Sequence, residues 1–181
     1  MAKISFITGG IASGKTRWAI SYFEACDNVL YLCVDDAMDP EIMDRIQFSN
    51  QTHKVEWDIQ TGVQNLLAPL NHHPFIILDN LAAYVSRAMR KQCPDSAAMT
   101  DAQQHQIEQT CIDEICALMQ AVKDMDGNLL IISIETGFSV CPQSEEQIRF
   151  RKILGAVNQR IANFSTDVYL SASGIQFKIR G

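Results

Sequence analysis

Apolar residues gather in short runs along this chain, and the runs alternate with longer stretches of helical periodicity. Ile4 to Thr8, Val29 to Val34, Phe75 to Leu78, Leu129 to Ile134 and Val168 to Ala172 have the length and composition of buried strands. Arg17 to Ala25 holds good helix formers and no Gly or Pro. Further on, Ile107, Cys111, Ile115, Leu118 and Val122 fall on one face of a helix, as do Phe150, Ile153, Leu154, Val157 and Ile161 on another. Thr100 with Gln103 and Ser144 with Gln147 have capping-box spacing, which sets the starts of those two helices. Cys93 and Pro94 end an earlier helix and open a polar loop within Arg87 to Ala98. Ser173 and Gly174 separate Val168–Ala172 from Ile175–Ile179, a spacing that predicts a terminal hairpin. Strand and helix in alternation predict an α/β fold, a mostly parallel sheet with helices on both faces. Without a repeat, a low-complexity tract or a break in composition, residues 1–181 read as a single domain.

Composition narrows the function classes. The net charge is −6, which argues against a sequence-independent grip on nucleic acid, since that rests on clustered Lys and Arg. No apolar stretch approaches the eighteen residues of a membrane span. Met-Ala-Lys runs straight into the first strand, so a signal or transit peptide is not expected and a cytoplasmic location is. Cys26, Cys33, Cys93, Cys111, Cys116 and Cys141 form no C-x-x-C pair and read as free thiols in apolar surroundings.

The chemistry begins where the first strand ends. Gly9, Gly10, Ile11, Ala12, Ser13, Gly14, Lys15 and Thr16 match G-x-x-x-x-G-K-[ST], the phosphate-binding loop, between a strand and a helix as that loop requires. Its glycines let backbone N–H groups converge on phosphate oxygens, and the following helix adds its positive end. Lys15 is placed to neutralise the β and γ phosphates, and Thr16 to offer its hydroxyl to Mg²⁺. A second metal-side group is expected at the carboxyl end of a neighbouring strand, and Asp79, closing Phe75-Ile-Ile-Leu-Asp79, is the candidate. The alternative for Asp79 is a helix cap. Asp35, Asp36 and Glu135 also follow strand ends, where ligands gather in open α/β sheets, and any of them is a candidate proton acceptor. Arg45 and Arg151 are candidate phosphate contacts. His72, His73 and His105 have no companion ligands nearby in the chain and read as surface residues.

From this loop onward the chain resembles the adenosylcobinamide kinase/adenosylcobinamide-phosphate guanylyltransferase family. The resemblance is carried by Thr8 to Thr16, Val29-Leu-Tyr-Leu32, Glu41 through Arg45-Ile-Gln47, Trp57, Ile77-Leu-Asp79, and Glu135-Thr-Gly137 with Pro142. Phe150-Arg151, Gly155, Asn158-Gln159 and Ser173-Gly174-Ile175 complete it. It implies a RecA-like P-loop fold, a homotrimer, and two activities. One phosphorylates the aminopropanol hydroxyl of adenosylcobinamide, with ATP or GTP as donor and Mg²⁺ as cofactor. The other transfers GMP from GTP through a guanylyl-histidine. Carried over by position, Thr8 to Thr16 hold the triphosphate, Asp79 lies on the metal side, and the backbone of Cys33, Val34 and Asp35 borders the nucleotide.

Departures from the family pattern fall in one half of that chemistry. The guanylylated histidine corresponds to Phe48, followed by Ser49, and a phenyl ring has no nucleophilic nitrogen. The family's later arginine falls on His53, its acid after the tryptophan on Thr61, and its threonine after the second strand on Val34. His53 lies five residues past Phe48, too far around a helix or along a loop to point the same way. The expectation is therefore a kinase for adenosylcobinamide or a related corrinoid alcohol, with guanylyl transfer lost. The alternatives are a non-catalytic nucleotide-binding paralogue and a kinase for another small alcohol.

Overall fold

The computed structural model describes residues 2–70, 72–95, 98–138 and 142–181. The elements run β1 (Lys3–Gly9), α1 (Lys15–Tyr22), β2 (Val29–Cys33), α2 (Pro40–His53), β3 (Trp57–Gln60) and β4 (Phe75–Asp79), followed by α3 (Leu81–Gln92), α4 (Asp101–Asp124), β5 (Asn128–Ile132), α5 (Glu145–Phe164), β6 (Asp167–Ala172) and β7 (Ile175–Arg180). They build one seven-stranded sheet in the order β3-β2-β4-β5-β1-β6-β7. Every pairing is parallel except β6 with β7.

Each central strand is buried on both sides, so alternate residues feed two cores. Ile4, Phe6, Leu30, Leu32, Ile76 and Leu78 pack with the apolar stripes of α3, α4 and α5. Ile7, Tyr31, Ile77, Leu130 and Ile132 face Ala19 and Ile20 of α1 and Ile46 of α2. The stripe expected on α4 is buried from Ile107 to Val122, and on α5 Ile153, Leu154, Val157 and Ile161 are buried while Phe150 packs at the margin. Helix starts follow their sequence signals. Thr100 and Gln103 form the reciprocal capping box, and Ser144 accepts from the Gln147 N–H at 3.2 Å. The hairpin turns through Ser173 and Gly174 at φ 51° and 80°, the pair of positive angles that a two-residue hairpin loop needs.

Two features depart from expectation. β3 has no counterpart among the expected strands, because Trp57-Asp-Ile-Gln60 is a four-residue edge strand with a single fully buried side chain. Its pattern is too short to stand out. In addition, β4, which ends in Asp79, does not neighbour β1: β5 lies between them. The cysteines are free, with Cys33, Cys93 and Cys111 buried and Cys26 and Cys116 half-buried, while Cys141 lies outside the described residues. No helix among the described residues is long and apolar enough to cross a membrane.

Candidate functional site

The loop between β1 and α1 is held by backbone geometry that its sequence dictates. Gly14 sits at φ 92°, a conformation that favours glycine, and forms the N-cap of α1 without any side chain to block the helix N-terminus. Ser13 N–H donates to Gly10 O at 3.3 Å, closing the loop on itself. The Lys15 ammonium turns back over this loop and donates to Gly9 O at 2.9 Å, Gly10 O at 2.6 Å and Ser13 Oγ at 3.3 Å. Burial holds its pKa below the ordinary lysine value, and the charge of Asp79 opposes that shift. A cation in this setting has been stripped of water and gains strongly from an anion placed beside it.

Asp79 reaches the loop across β5. Helix α1 crosses that strand, which brings Thr16 Oγ1 to within 3.3 Å of Asp79 Oδ2. Tyr31, on β2 at the opposite side of β4, donates its hydroxyl to the same carboxylate oxygen. Burial raises the Asp79 pKa, while the Tyr31 and Thr16 hydrogen bonds pull it down. Asp79 does not cap α3; Asn80 does, accepting from Ala83 N–H at 2.8 Å. The alternative of a structural cap is thereby assigned to the next residue.

The terminal hairpin closes the far side. Ser13 O accepts the Ser171 hydroxyl at 2.7 Å and the Gly174 N–H at 3.0 Å. A side chain at Gly9 would collide with Ser171 O, and a Cβ at Gly14 would meet Gly174 Cα at 3.2 Å. The phosphate-loop glycines therefore serve two ends, backbone curvature and close approach of β6 and β7. On the other flank, Glu135 N–H donates to Gly9 O at 3.0 Å, and Asn158 of α5 fixes the chain beyond β5 through Ser133 Oγ at 2.6 Å and Ile134 O at 3.0 Å.

A cleft of about 420 Å³ opens over this loop, bounded on one side by Ser13 to Arg17 and on the other by Asp39, Ile42 and Arg45 of the α2 segment. Ile11 projects into solvent at the loop's tip, Ala12 lines the cleft, and Thr8 is buried beneath with its hydroxyl unpaired among the described residues. Cys33, Val34 and Asp35 lie beside Asp79, since Cys33 is its register partner and Val34 N–H donates to Asp79 O at 2.8 Å. None of the three lines the cleft. Burial, first, and the charge of Asp79 push the Cys33 thiol up to about 11, so it is inert at neutral pH. Of the candidate proton acceptors, Asp35 and Asp36 are exposed, and Glu135 accepts Gly137 N–H at 2.7 Å. Arg151 donates to Gly137 O at 3.2 Å rather than entering the cleft.

Sequence reasoning missed Tyr31, Ser171 and Arg87. Arg87 of α3 donates to Val34 O and, at 2.5 Å, to Val63 O, tying the end of β2 to the loop after β3. An arginine on an otherwise apolar helix face was the available signal. Of the histidines, His73 contacts Asn28 O at 3.2 Å, and His105 lies 3.7 Å from Glu108. Among the described residues no group of three or more His, Cys, Asp or Glu is disposed to hold a metal.

The family model for cobinamide kinase/cobinamide phosphate guanyltransferase matches residues 5–179. The chain belongs to that family. Two relatives bear the name bifunctional adenosylcobalamin biosynthesis protein CobU. The one from Escherichia coli (strain K12) is 28% identical over 179 residues, covering 96% of this chain and 98% of its own. The one from Salmonella typhimurium (strain LT2) is 29% identical over 185 residues, with the same coverage. Among solved structures, the KaiC-like protein PH0186 from Pyrococcus horikoshii OT3 superposes with a TM-score of 0.54 at 11% identity, covering 93% of this chain and 70% of that one. That likeness bears on the fold alone, and it agrees with the α/β P-loop architecture.

Phe48, His53, Thr61 and Val34, the positions expected from the sequence to depart from the family pattern, lie as follows. Phe48 stands on α2, 72% exposed, one turn beyond Arg45. His53 is exposed at the end of α2, and Thr61 is exposed just beyond β3. Val34 is fully buried in the core under α3.

Proposed function

We infer that the protein is a nucleotide-dependent kinase that phosphorylates the aminopropanol hydroxyl of adenosylcobinamide, and that it has lost guanylyl transfer. The observation that carries this reading is the meeting of Thr16, which lines the cleft, with the Asp79 carboxylate behind it, beside the buried Lys15 ammonium. An oxygen donor set of one hydroxyl and one carboxylate suits Mg²⁺, which takes few protein ligands and fills its remaining positions with phosphate and water. Bound there, the metal offsets charge on the β and γ phosphates.

The chain's own part is positioning and charge. Backbone N–H groups of the Gly9–Thr16 loop face the phosphates, and the α1 N-terminus adds its dipole. Lys15 exchanges its loop carbonyls for phosphate oxygens. The acceptor hydroxyl oxygen bonds to γ-phosphorus as the bond to the β-bridging oxygen breaks, and the diphosphate leaves with that electron pair. The hydroxyl proton passes to a carboxylate at the same sheet edge, where Asp35, Asp36 and Glu135 stand. None of these steps needs a nucleophilic side chain, so Phe48 does not obstruct them. The homotrimer implied by the family resemblance belongs to this reading as well.

Purified protein incubated with MgATP or MgGTP and adenosylcobinamide is expected to yield adenosylcobinamide phosphate, read by mass spectrometry. Absence of product with both nucleotides refutes the kinase assignment. Incubation with GTP alone is expected to leave no acid-labile protein-bound GMP. An adduct that disappears in His53→Ala refutes the loss of guanylyl transfer.

A further inference from the structure

We propose that Arg45 is the residue by which this cleft recognises the outermost phosphate of a bound nucleoside triphosphate, with Glu41 as the competing acceptor that holds its guanidinium when no phosphate is there. Arg45 projects from α2 into the same cleft that Lys15 and Thr16 line from the opposite side. One guanidinium nitrogen, Nη2, donates to Glu41 Oε1 at 3.1 Å, an i,i+4 pair on an exposed helix face. Such a pair is weak, because Glu41 is 70% exposed and water competes for its carboxylate.

The neighbouring nitrogen on the same edge of the guanidinium is the informative one. Arg45 Nε is buried and has no hydrogen-bond partner among the described residues, although the side chain as a whole is 35% exposed. An unpaired buried N–H is costly, and the planar fork of arginine presents Nε and Nη together to a tetrahedral anion. Once the side chain turns to expose it, Nε is satisfied by a phosphate oxygen in the cleft, which also outbids a monoanionic carboxylate for Nη2. The helix places the two residues so that a rotation of the arginine side chain, without unwinding of α2, moves the fork from Glu41 toward the loop. Arg17 also lines the cleft but is exposed at the opposite rim, where it contributes charge rather than a fixed fork.

This inference rests on the triphosphate reading, and the experiment separates the two. Calorimetry with Mg²⁺ compares a non-hydrolysable β,γ-imido triphosphate with the corresponding diphosphate. Wild type is expected to prefer the triphosphate. Arg45→Ala is expected to cut the triphosphate-to-diphosphate affinity ratio by about 10- to 100-fold while diphosphate affinity stays within about threefold. Arg45→Lys, which keeps the charge but not the fork, falls between. Glu41→Gln is expected to shift the ratio the other way, by about two- to fivefold in favour of triphosphate, and it serves where Arg45→Ala fails to fold. Triphosphate binding by wild type with an unchanged ratio in the Arg45 variants overturns the role of Arg45. An equal fall for both nucleotides also overturns it, because bulk charge explains that result. Failure of wild type to bind either nucleotide removes the triphosphate reading itself, and this inference with it.

Discussion

The hydroxyl of Ser171 offers the sharpest test of how the phosphate loop is held. It is 2% exposed, donates to Ser13 O at 2.7 Å, and accepts from Gln176 Nε2 at 3.2 Å. Ser171→Ala removes both bonds without changing the backbone. Ser13 O keeps the Gly174 N–H at 3.0 Å, and Gln176 keeps Gly174 O at 3.2 Å, so no buried polar group is orphaned. The loss is then mainly that of the buried bond to Ser13 O, about 1 kcal/mol, because the half-exposed Gln176 amide can turn to water for the longer one. For a domain of this size that corresponds to a melting temperature lower by roughly 2–4 °C. If the bond also fixes the loop for phosphate, the same free energy must be supplied on binding, and nucleotide affinity falls by roughly fivefold. Thermal melts and calorimetry on the same preparation read both numbers. A lower melting temperature with unchanged nucleotide affinity refutes the idea that the hairpin positions the loop. An affinity loss with no change in stability refutes the hydrogen-bond accounting.

Lys15→Ala is expected to weaken triphosphate binding at least about 100-fold by calorimetry, since a desolvated ammonium facing phosphates is lost. Its melting temperature should stay within about 3 °C of wild type, because a buried charge is relieved while Gly9 O keeps the Glu135 N–H and Gly10 O keeps the Ser13 N–H. Asp79→Asn should lower phosphoryl transfer by about 10²–10³-fold yet melt higher than wild type in the absence of nucleotide. Burial raises the Asp79 pKa above 3.8, so the folded protein holds that proton more tightly than the unfolded chain, and the carboxylate's contribution to stability falls as pH rises from about 3.8 through the folded value. The melting-temperature gap between Asp79→Asn and wild type should therefore widen from pH 4 toward neutrality, and a gap independent of pH contradicts the burial argument. Asp167 behaves oppositely. Burial opposes its ionisation, but Lys3 at 2.6 Å, Lys178 at 3.1 Å and Tyr169 together hold its pKa below 3.8. The stability it lends is present above that value and lost as pH falls through the lowered one, so Asp167→Asn should flatten the acid limb of a pH–melting curve.

The legible parts of this protein are those set by local rules. The stripes of α4 and α5, their Thr100 and Ser144 caps, the Ser173-Gly174 turn and the phosphate loop all depend on residues within a few positions of one another. What the sequence concealed depends on distant pairs. Ser171 and Ser13 are 158 residues apart, and Tyr31 and Asp79 are 48 apart. A tyrosine inside Val29–Cys33 looks like one more apolar strand residue until β4 is known to lie beside it. Likewise β3 became a strand only because β2 offered it an edge.

The long-range contacts also bear on the proposal that guanylyl transfer is lost while phosphoryl transfer is kept. Lys15 and Thr16 rest on a frame made of β1, the β6–β7 hairpin and the chain after β5, joined through Ser13 O and Gly9 O. Val34, Phe48 and Thr61 belong to a different frame, the end of β2, helix α2 and the loop after β3. That frame is held by Arg87 on Val34 O and Val63 O and by Gly62 N–H on Asp35 O at 2.8 Å. The two frames meet at Asp79, through its side chain on Thr16 and its carbonyl on Val34 N–H. Substitutions in the second frame leave the hydrogen bonds of the first untouched, because the polar link between them among the described residues runs through Asp79, while Ile46 of α2 and Ala19 and Ile20 of α1 meet only by apolar packing. A phenyl ring at Phe48 therefore carries no structural cost to the phosphate loop, which is compatible with the proposed kinase that lacks guanylyl transfer.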